Sequence, residues 1–237
     1  MTVTVAMPYY DNPSMLRLHL ETWAGFPAEL RDQLRFILVD DASPNSPAEP
    51  VIRAAKFDGD IRLYRISEDI PWRWDGARNL AADQMPDGPM LITDMDHLLD
   101  RKNASRLLAM EVRPDTHYVP ARVNADGSAK PAHPNSWIMQ RSLYWEIGGY
   151  DERFSSYYGK DAVFRKRAMA VSRRVELKDL KLILYGRHVV PDASTTSFGR
   201  KDSDYYSAHH PEVRAVMKTA HLKRPELTLN FAWERLI

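Results

Sequence analysis

The chain has 237 residues and a formal net charge of +1, with 44% hydrophobic and 27% charged residues. This balance is enough for a buried core, excludes wholesale disorder and does not predict a nucleic-acid partner. Because cysteine is absent, disulfides and thiolate metal sites are excluded, and a bound metal would need carboxylate, imidazole, carbonyl or water ligands.

The chain opens directly on a strand-like run, without the basic and apolar regions of a secretory signal. Its apolar runs are much shorter than the ~20 residues that a helix needs to cross a bilayer. We therefore expect a soluble, cytoplasmic protein with no transmembrane segment.

The first hundred residues alternate strand and helix patterns. A strand over 2–8 precedes Pro13 and a helical pattern that carries Leu16, Leu20 and Trp23. Further strands are predicted at 35–39, 61–66 and 89–93, with helices near 48–56 and 75–82. Strands that alternate with helices indicate an α/β fold with a mostly parallel sheet flanked by helices.

The second half of the chain is less regular. Predicted features are a loop over 125–136, helices at 141–146 and 161–172, a strand at 180–184 and a polar stretch over 186–207. Because neither an internal repeat nor a linker interrupts the chain, we predict one domain, 1–237, with lobes over 1–100 and 101–237.

Polar clusters follow three of the predicted strands. They are Tyr9-Tyr10-Asp11, Asp40-Asp41 and Asp94-Met95-Asp96. Ligands of parallel sheets bind at the carboxyl ends of the strands, so these clusters are expected to share one rim. Carboxylates there suit a cation and the hydroxyl groups of a nucleotide.

The Asp-x-Asp pattern has little value by itself, because it also occurs at 58–60 and 202–204. Only Asp94 and Asp96 follow an apolar strand, and a turn capped by aspartate explains that position equally well. The chain has no G-x-G-x-x-G motif after a strand, no P-loop, no H-E-x-x-H and no G-x-S-x-G.

Six short segments in order carry a family resemblance. They are Val5-Ala6-Met7-Pro8-Tyr9-Tyr10, Val39-Asp40-Asp41-Ala42-Ser43, Gly76-Ala77-Arg78-Asn79, Thr93-Asp94-Met95-Asp96, Gly148-Gly149-Tyr150-Asp151-Glu152 and Gly159-Lys160-Asp161. The ordered set resembles the family 2 glycosyltransferases of GT-A fold over residues 2–167. The resemblance implies a Rossmann-like sheet with a nucleotide-sugar-binding half, 1–100, and a less regular half, 101–237, that binds the acceptor and carries the catalytic base.

The resemblance also assigns roles to residues. Asp161 matches the catalytic base, and Asp96, Asp94 and His188 match the metal ligands. The nucleotide-binding positions would be Pro8, Tyr9, Tyr10, Asp41, Arg78, Asn79, Asp94, Arg200 and Lys201. Lys160 stands where the family commonly has Glu, and its ammonium group would either act on Asp161 or face solvent.

The implied reaction is an inverting transfer of a hexosyl-type sugar from a nucleotide sugar, with UDP as the expected nucleotide. The oxygen and imidazole ligands suit Mn²⁺ or Mg²⁺. The acceptor stays open between a saccharide, a lipid-linked group, a protein and a modified DNA base. An anionic acceptor is one interpretation of the basic segment 161–174, and a solvated helix face is the other.

Other interpretations stay open from the residues alone. A sugar-nucleotide pyrophosphorylase shares the sheet and the metal carboxylates, but normally has a Gly-rich basic loop after the first strand. A glycoside hydrolase would need two opposed carboxyl groups. A non-catalytic nucleotide-sugar or carbohydrate-binding module could keep the fold. Individually, Asp161 could only cap a helix, His188 could be an ordinary loop histidine, and Trp72 and Trp74 could either stack on a ligand or pack internally.

Overall fold

The computed structural model describes residues 2–70, 72–157, 159–195 and 211–237. Its strands are β1 (Val3–Tyr9), β2 (Leu34–Asp40), β3 (Asp60–Ile66), β4 (Pro89–Ile92), β5 (His97–Leu98), β6 (Thr116–Asn124), β7 (Ala129–Lys130), β8 (Trp137–Gln140), β9 (Arg173–Leu184) and β10 (Trp233–Arg235). Its helices are α1 (Pro13–Ala24), α2 (Ala28–Arg31), α3 (Ala48–Ala55), α4 (Trp74–Gln84), α5 (Arg101–Leu108), α6 (Arg141–Ile147), α7 (Asp161–Val171) and α8 (Pro211–Ala220), and a 3₁₀ turn covers Glu152–Phe154. In the described ranges, no helix combines the length and the apolar character that crossing a membrane requires.

One sheet joins all the strands of the described residues, in the order β10-β3-β2-β1-β4-β8-β6-β9-β5, with β7 paired to β6. The strands β3, β2, β1 and β4 pair in parallel. Beyond β4 the sheet contains antiparallel pairs: β8 pairs antiparallel with both β4 and β6, and β5 pairs antiparallel with β9. Near its carboxyl end the chain returns to the opposite edge, where β10 pairs antiparallel with β3.

Hydrophobic cores cover both faces of this sheet. Side chains alternate along a strand, so Val5 and Met7 pack into one core while Ala6 packs into the other. The first core receives the apolar side of α1, with Leu16, Leu20 and Trp23, as the helical spacing predicts. The second core receives α4, α6 and α7. Burial of both faces explains why β1, β2 and β4 are almost continuously apolar.

Local sequence explains several helix boundaries. Pro13 begins α1, where the missing N–H of proline costs no helical hydrogen bond. The carboxylate of Asp100 caps α5 by accepting from the backbone N–H of Asn103 at 2.8 Å. Gly148 ends α6 with φ 96°, a left-handed conformation that glycine adopts without a Cβ clash.

The predicted α/β fold, with a central, mostly parallel sheet flanked by helices, is confirmed. The sequence interpretation missed α2, α5, α8, β5, β6, β8 and β10, and it predicted only the last part of β9. The predicted loop over 125–136 contains the short strand β7. Most of these elements are too short to show a periodic pattern. In β6 the apolar residues are interrupted by His117, Pro120 and Arg122, and one face of β9 is solvent-exposed and charged.

Candidate active site

A solvent-open cleft lies where β1, β2 and β4 end. In the described part of the chain its walls are Pro8, Tyr9, Tyr10, Asn12, Asp41, Trp74, Asp94, Met95, Asp96, Asn135, Ala193, Ser194 and Thr195. The fold therefore brings together three segments that the sequence places far apart, at the carboxyl edge of the parallel strands.

Asp41 reaches the cleft from the end of β2. Its backbone N–H donates to the carbonyl of Tyr9 at 2.9 Å, which continues the pairing of β1 and β2 by one residue. The preceding carboxylate, Asp40, accepts from the backbone N–H groups of Ser43 and Ala48 at 2.8 and 2.9 Å. Asp40 thus holds the turn, and Asp41 remains available to the cleft.

The carboxyl group of Asp41 is buried, and its Oδ1 has no hydrogen-bond partner among the described residues. Burial raises the pKa of Asp41 to about 8; Asp75 adds to this, while Lys160 and Arg73 oppose it. A buried oxygen acceptor without a donor is costly in the free protein, so this position suits a ligand that supplies an N–H or O–H group.

The Tyr9 and Tyr10 side chains frame the same end of the cleft. The Tyr9 hydroxyl donates to the carbonyl of Ser46 at 2.5 Å, and the Tyr10 hydroxyl lies 3.2 Å from both carboxylate oxygens of Asp69. The Thr195 hydroxyl donates to the Tyr10 carbonyl, which attaches the 190–195 segment to the cleft wall.

Asp94 follows β4, and Arg78 of α4 contacts its carboxylate from the buried side of the cleft. Arg78 Nη2 donates to Asp94 Oδ1, and Nη1 donates to the Tyr150 hydroxyl at 2.8 Å. On the other carboxylate oxygen, His133 Nε2 lies 3.4 Å away. Burial alone would raise the pKa of Asp94, but Arg78 and then His133 outweigh it, so the pKa is lowered. Asp94 is therefore an ionised carboxylate in a fixed orientation.

Asp96 is oriented by its neighbour in sequence. Asp96 Oδ1 lies 2.6 Å from His97 Nδ1, and the His97 ring is buried at the start of β5. Between the two aspartates, the Met95 carbonyl is 2.7 Å from Nε2 of the buried His19 on α1. Burial lowers the pKa of His19 to about 4, so this ring is neutral and can donate to the carbonyl.

These carboxylates fit a divalent cation that shares its ligands with a substrate. Among the described residues, no group of three or more His, Asp or Glu side chains is arranged to hold a metal alone. Mg²⁺ and similar cations are commonly held by one or two carboxylates together with water and substrate phosphates. Asp96 lines the cleft with its side chain 21% exposed and keeps Oδ2 outside the bond to His97.

Asp161 is the first residue of α7. Its carboxylate is 21% exposed and lies 3.8 Å from Nη1 of Arg165, one helical turn later. Asp161 is not one of the cleft-lining residues. Burial raises the pKa of the Tyr150 hydroxyl to about 12, and the charges of Asp161 and Asp94 both add to this increase. One phenol group therefore lies within electrostatic range of both carboxylates.

A family comparison decides what class of protein carries this cleft. The model of the family described as "Glycosyl transferase family 2" matches residues 4–179. The chain belongs to glycosyl transferase family 2. It is therefore a glycosyltransferase, and the family resemblance of the sequence is confirmed. A comparison with curated protein sequences gave no match.

Solved structures of other GT-A glycosyltransferases have the same fold. S. aureus TarS 1–349 in complex with UDP-GlcNAc has a TM-score of 0.69 at 14% identity, and the alignment covers 97% of this chain and 68% of that one. Mannosyltransferase PcManGT from Pyrobaculum calidifontis, in complex with GDP-Man and Mn²⁺, has a TM-score of 0.59 at 18% identity. That alignment covers 76% of this chain, which spans only 56% of PcManGT.

Arg78 and Asn79 of this family 2 chain lie beneath the cleft, not in its lining. Asn79 is fully buried: its Nδ2 donates to the Tyr150 carbonyl and to Glu152 Oε1, and its Oδ1 accepts from the Tyr144 hydroxyl. A direct nucleotide contact by Asn79 is therefore not supported by its position. Arg78 reaches the cleft through Asp94.

Of the remaining predicted positions, His188 is not among the described residues that line the cleft. His188 is exposed, and its charge acts on Asp126 at the tip of the β6–β7 hairpin. Its role as a metal ligand stays a prediction. Arg200 and Lys201, the predicted diphosphate clamp, lie outside the described residues. Of the two alternatives for Lys160, an ammonium group that acts on Asp161 or one that faces solvent, the second is wrong, because its side chain is only 2% exposed.

The sequence interpretation missed several residues at the site. His97 and His133 contact the two aspartates, Asn135 lines the cleft, and the 193–195 segment closes one wall. His97 could have been noticed, because it directly follows Asp96. His133 and Asn135 carried no recognisable pattern, since they reach the site through the loop that joins β7 to β8.

Proposed function

We propose that this glycosyltransferase moves a sugar from a UDP-sugar to an acceptor hydroxyl group by a metal-assisted, inverting displacement. The observation that carries the proposal is the polarity of the cleft. A buried acceptor oxygen of Asp41 lies on one strand end, and the oriented carboxylates of Asp94 and Asp96 lie on another. A nucleoside diphosphate has matching ends, with base N–H groups at one and phosphate oxygens at the other.

The nucleobase would lie against Asp41, between Pro8 and the two tyrosines. Uracil presents an imide N–H, and Asp41 Oδ1 lacks a donor among the described residues. Guanine also presents N–H groups to a carboxylate, whereas cytosine has an acceptor nitrogen at the position of the uracil imide N–H. TarS was solved with UDP-GlcNAc and PcManGT with GDP-Man, so both nucleotides belong in a test.

Asp96 would hold a Mn²⁺ or Mg²⁺ ion, with Asp94 beside it. Such a cation neutralises the negative charge that develops on the leaving diphosphate. Arg78 lowers the pKa of Asp94, and Arg78 and His97 hold the two carboxylates in their orientations. PcManGT and GalNAc-T7 were both solved with Mn²⁺, which supports the choice of metal.

Asp161 would act as the general base. Its carboxylate removes the proton of the acceptor hydroxyl while the acceptor oxygen forms its bond to the anomeric carbon. The bond from that carbon to the diphosphate oxygen breaks, and its electron pair leaves with the diphosphate. A single displacement from the opposite side inverts the anomeric centre. In this arrangement residues 1–100 bind the nucleotide sugar, and residues 101–237 contribute the base and the acceptor side.

A thermal-shift screen tests the proposal. UDP-, GDP-, TDP- and CMP-sugars are added with and without Mn²⁺, and saturation to 100 Kd by a UDP-sugar should raise Tm by about 5–10 °C. The shift should require Mn²⁺ and should disappear in Asp96→Ala. Stabilisation by CMP-sugars alone, or by no nucleotide, would contradict the proposal. Metal-dependent release of UDP on adding an acceptor separates an enzyme from a binding module.

A further inference from the structure

A buried ion pair joins the start of α7 to the start of α4. Lys160 Nζ lies 2.8 Å from Asp75 Oδ1, and the two side chains are 2% and 0% exposed. The same ammonium donates to the carbonyl of Trp72, and the Ser155 hydroxyl donates to both oxygens of Asp75. Both polar partners of this cation, Trp72 and Asp75, therefore lie at the start of α4.

Lys160 immediately precedes Asp161, the proposed base. The backbone leading to it bends through Ser156 at φ 75° and Gly159 at φ 86°, and a Cβ built on Gly159 would meet nothing within 4 Å. The backbone just before α7 is therefore loosely packed at Gly159. The buried Lys160 side chain attaches this approach to the protein body, together with Tyr157, which packs against Phe154 and Val163.

The ammonium group of Lys160 also lies close to the wall of the cleft. It lies 4.5 Å from the ring centroid of Trp74, which lines the cleft. Its charge also acts on Asp41 and opposes the effect of Asp75 there. Four charged groups act on Asp41, namely Asp75, Lys160, Arg73 and Asp69. Lys160 is thus shared between the donor pocket and the segment that carries the base.

We propose that Lys160 is a positioning residue that couples the nucleobase end of the cleft to Asp161, through its ion pair with Asp75. The inference rests on the proposed roles of Asp41 and Asp161. The ammonium cannot leave Asp75 without becoming an unpaired buried charge, so α7 starts in one place relative to α4. A displacement of only about 1 Å at a reacting group can cost about 10²-fold in rate, which makes this anchoring relevant to turnover.

The test compares Lys160→Met, Asp75→Asn, the double variant and Lys160→Arg with the wild-type protein. Carboxyl-carbon NMR titration of Asp41 in the free protein measures the charge coupling without any donor. Lys160→Met should move the Asp41 midpoint upward, and Asp75→Asn should move it downward, because one removes a cation and the other an anion. Lys160→Arg should keep it near the wild-type value.

Kinetics measure the positioning. Lys160→Met should lower kcat for transfer by about 10- to 100-fold with a smaller change in the Kd for UDP, and amide hydrogen exchange over 159–163 should become faster. Lys160→Arg should recover part of kcat. A Lys160→Met protein with a lower Tm, but with wild-type kcat, Asp41 midpoint and exchange rates, overturns the inference and leaves a purely structural lysine.

If single variants unfold, the double variant Lys160→Met/Asp75→Asn supplies the answer, because a neutral pair of similar shape leaves no buried charge unpaired. It should fold but keep a low kcat, and a wild-type kcat would overturn the inference. If the wild-type protein binds no nucleotide and transfers no sugar, the proposed function fails. The Asp41 titration and the exchange rates still decide whether Lys160 couples the two segments.

Discussion

The guanidinium group of Arg78 contacts the carboxylate of Asp94 from the buried side of the cleft. Arg78 is 1% exposed, and its second nitrogen binds the Tyr150 hydroxyl at 2.8 Å. One arginine therefore orients the carboxylate next to the proposed metal and the phenol group that lies within range of Asp161.

Arg78→Lys should reduce the apparent affinity for the metal more than it reduces the stability of the fold. Lysine keeps the positive charge but cannot contact Asp94 and Tyr150 simultaneously. We expect the Mn²⁺ concentration for half-maximal transfer to rise by about 10- to 100-fold. Mn²⁺ titration of initial rates measures this. Arg53→Lys, at an exposed pair with Glu49, is the control and should change nothing.

His97→Phe tests the orientation of Asp96. The substitution retains a ring but removes the Nδ1 contact at 2.6 Å. The apparent affinity for Mn²⁺ should fall by about 10- to 100-fold, while the Kd for UDP at saturating Mn²⁺ should be unchanged. Calorimetric titrations with Mn²⁺ in the presence of UDP, and with UDP at saturating Mn²⁺, give the two values, and an unaltered Mn²⁺ affinity would show that His97 only packs.

Asp161→Asn should abolish most turnover and spare donor binding. Asparagine is nearly isosteric but cannot accept the proton of the acceptor hydroxyl, and general-base catalysis contributes about 10²- to 10⁴-fold. Initial rates should drop by that factor, and the Kd for the UDP-sugar should remain within about threefold. A comparable loss of donor affinity would place Asp161 in the donor site.

Asp41→Asn should weaken UDP binding by about 10- to 100-fold, because a hydrogen bond to a charged group is worth about 1.5–3 kcal/mol. Calorimetry at pH 9, above the raised pKa of Asp41, gives the full effect. The matched control is Asp87→Asn, an exposed carboxylate that pairs with Arg141 and does not line the cleft. Equal losses from both variants would show that Asp41 does not contact the base.

Acid should destabilise the protein through His19. Burial lowers the pKa of this ring to about 4 from 6.5, so the unfolded chain binds the proton more readily than the folded one. The associated stability is complete above pH 6.5 and is lost as the pH falls toward 4. Between pH 7.5 and pH 5 the loss should be about 2 kcal/mol. Urea unfolding at both pH values measures it, and His19→Leu should show a smaller pH dependence.

Local pattern predicted the parallel half of the fold well. Apolar strands that alternate with amphipathic helices bury their side chains when helices cover both faces of the sheet. This pattern predicted β1 to β4 and placed Asp41, Asp94 and Asp96 at one edge of the sheet. The order of short motifs indicated the family. Both inferences depend on residues that are close in sequence, where periodicity and strand ends carry the information.

Only the tertiary structure decided which side chains meet across that edge. Asn79 looked like a nucleotide contact but is enclosed by Tyr144, Tyr150 and Glu152. The sequence left open whether Lys160 acts on Asp161 or faces solvent, but its ammonium group binds Asp75, which is 85 residues away in the chain. The stability of a buried charge depends on partners that long-range packing supplies, and the spacing of residues along a sequence contains no record of them.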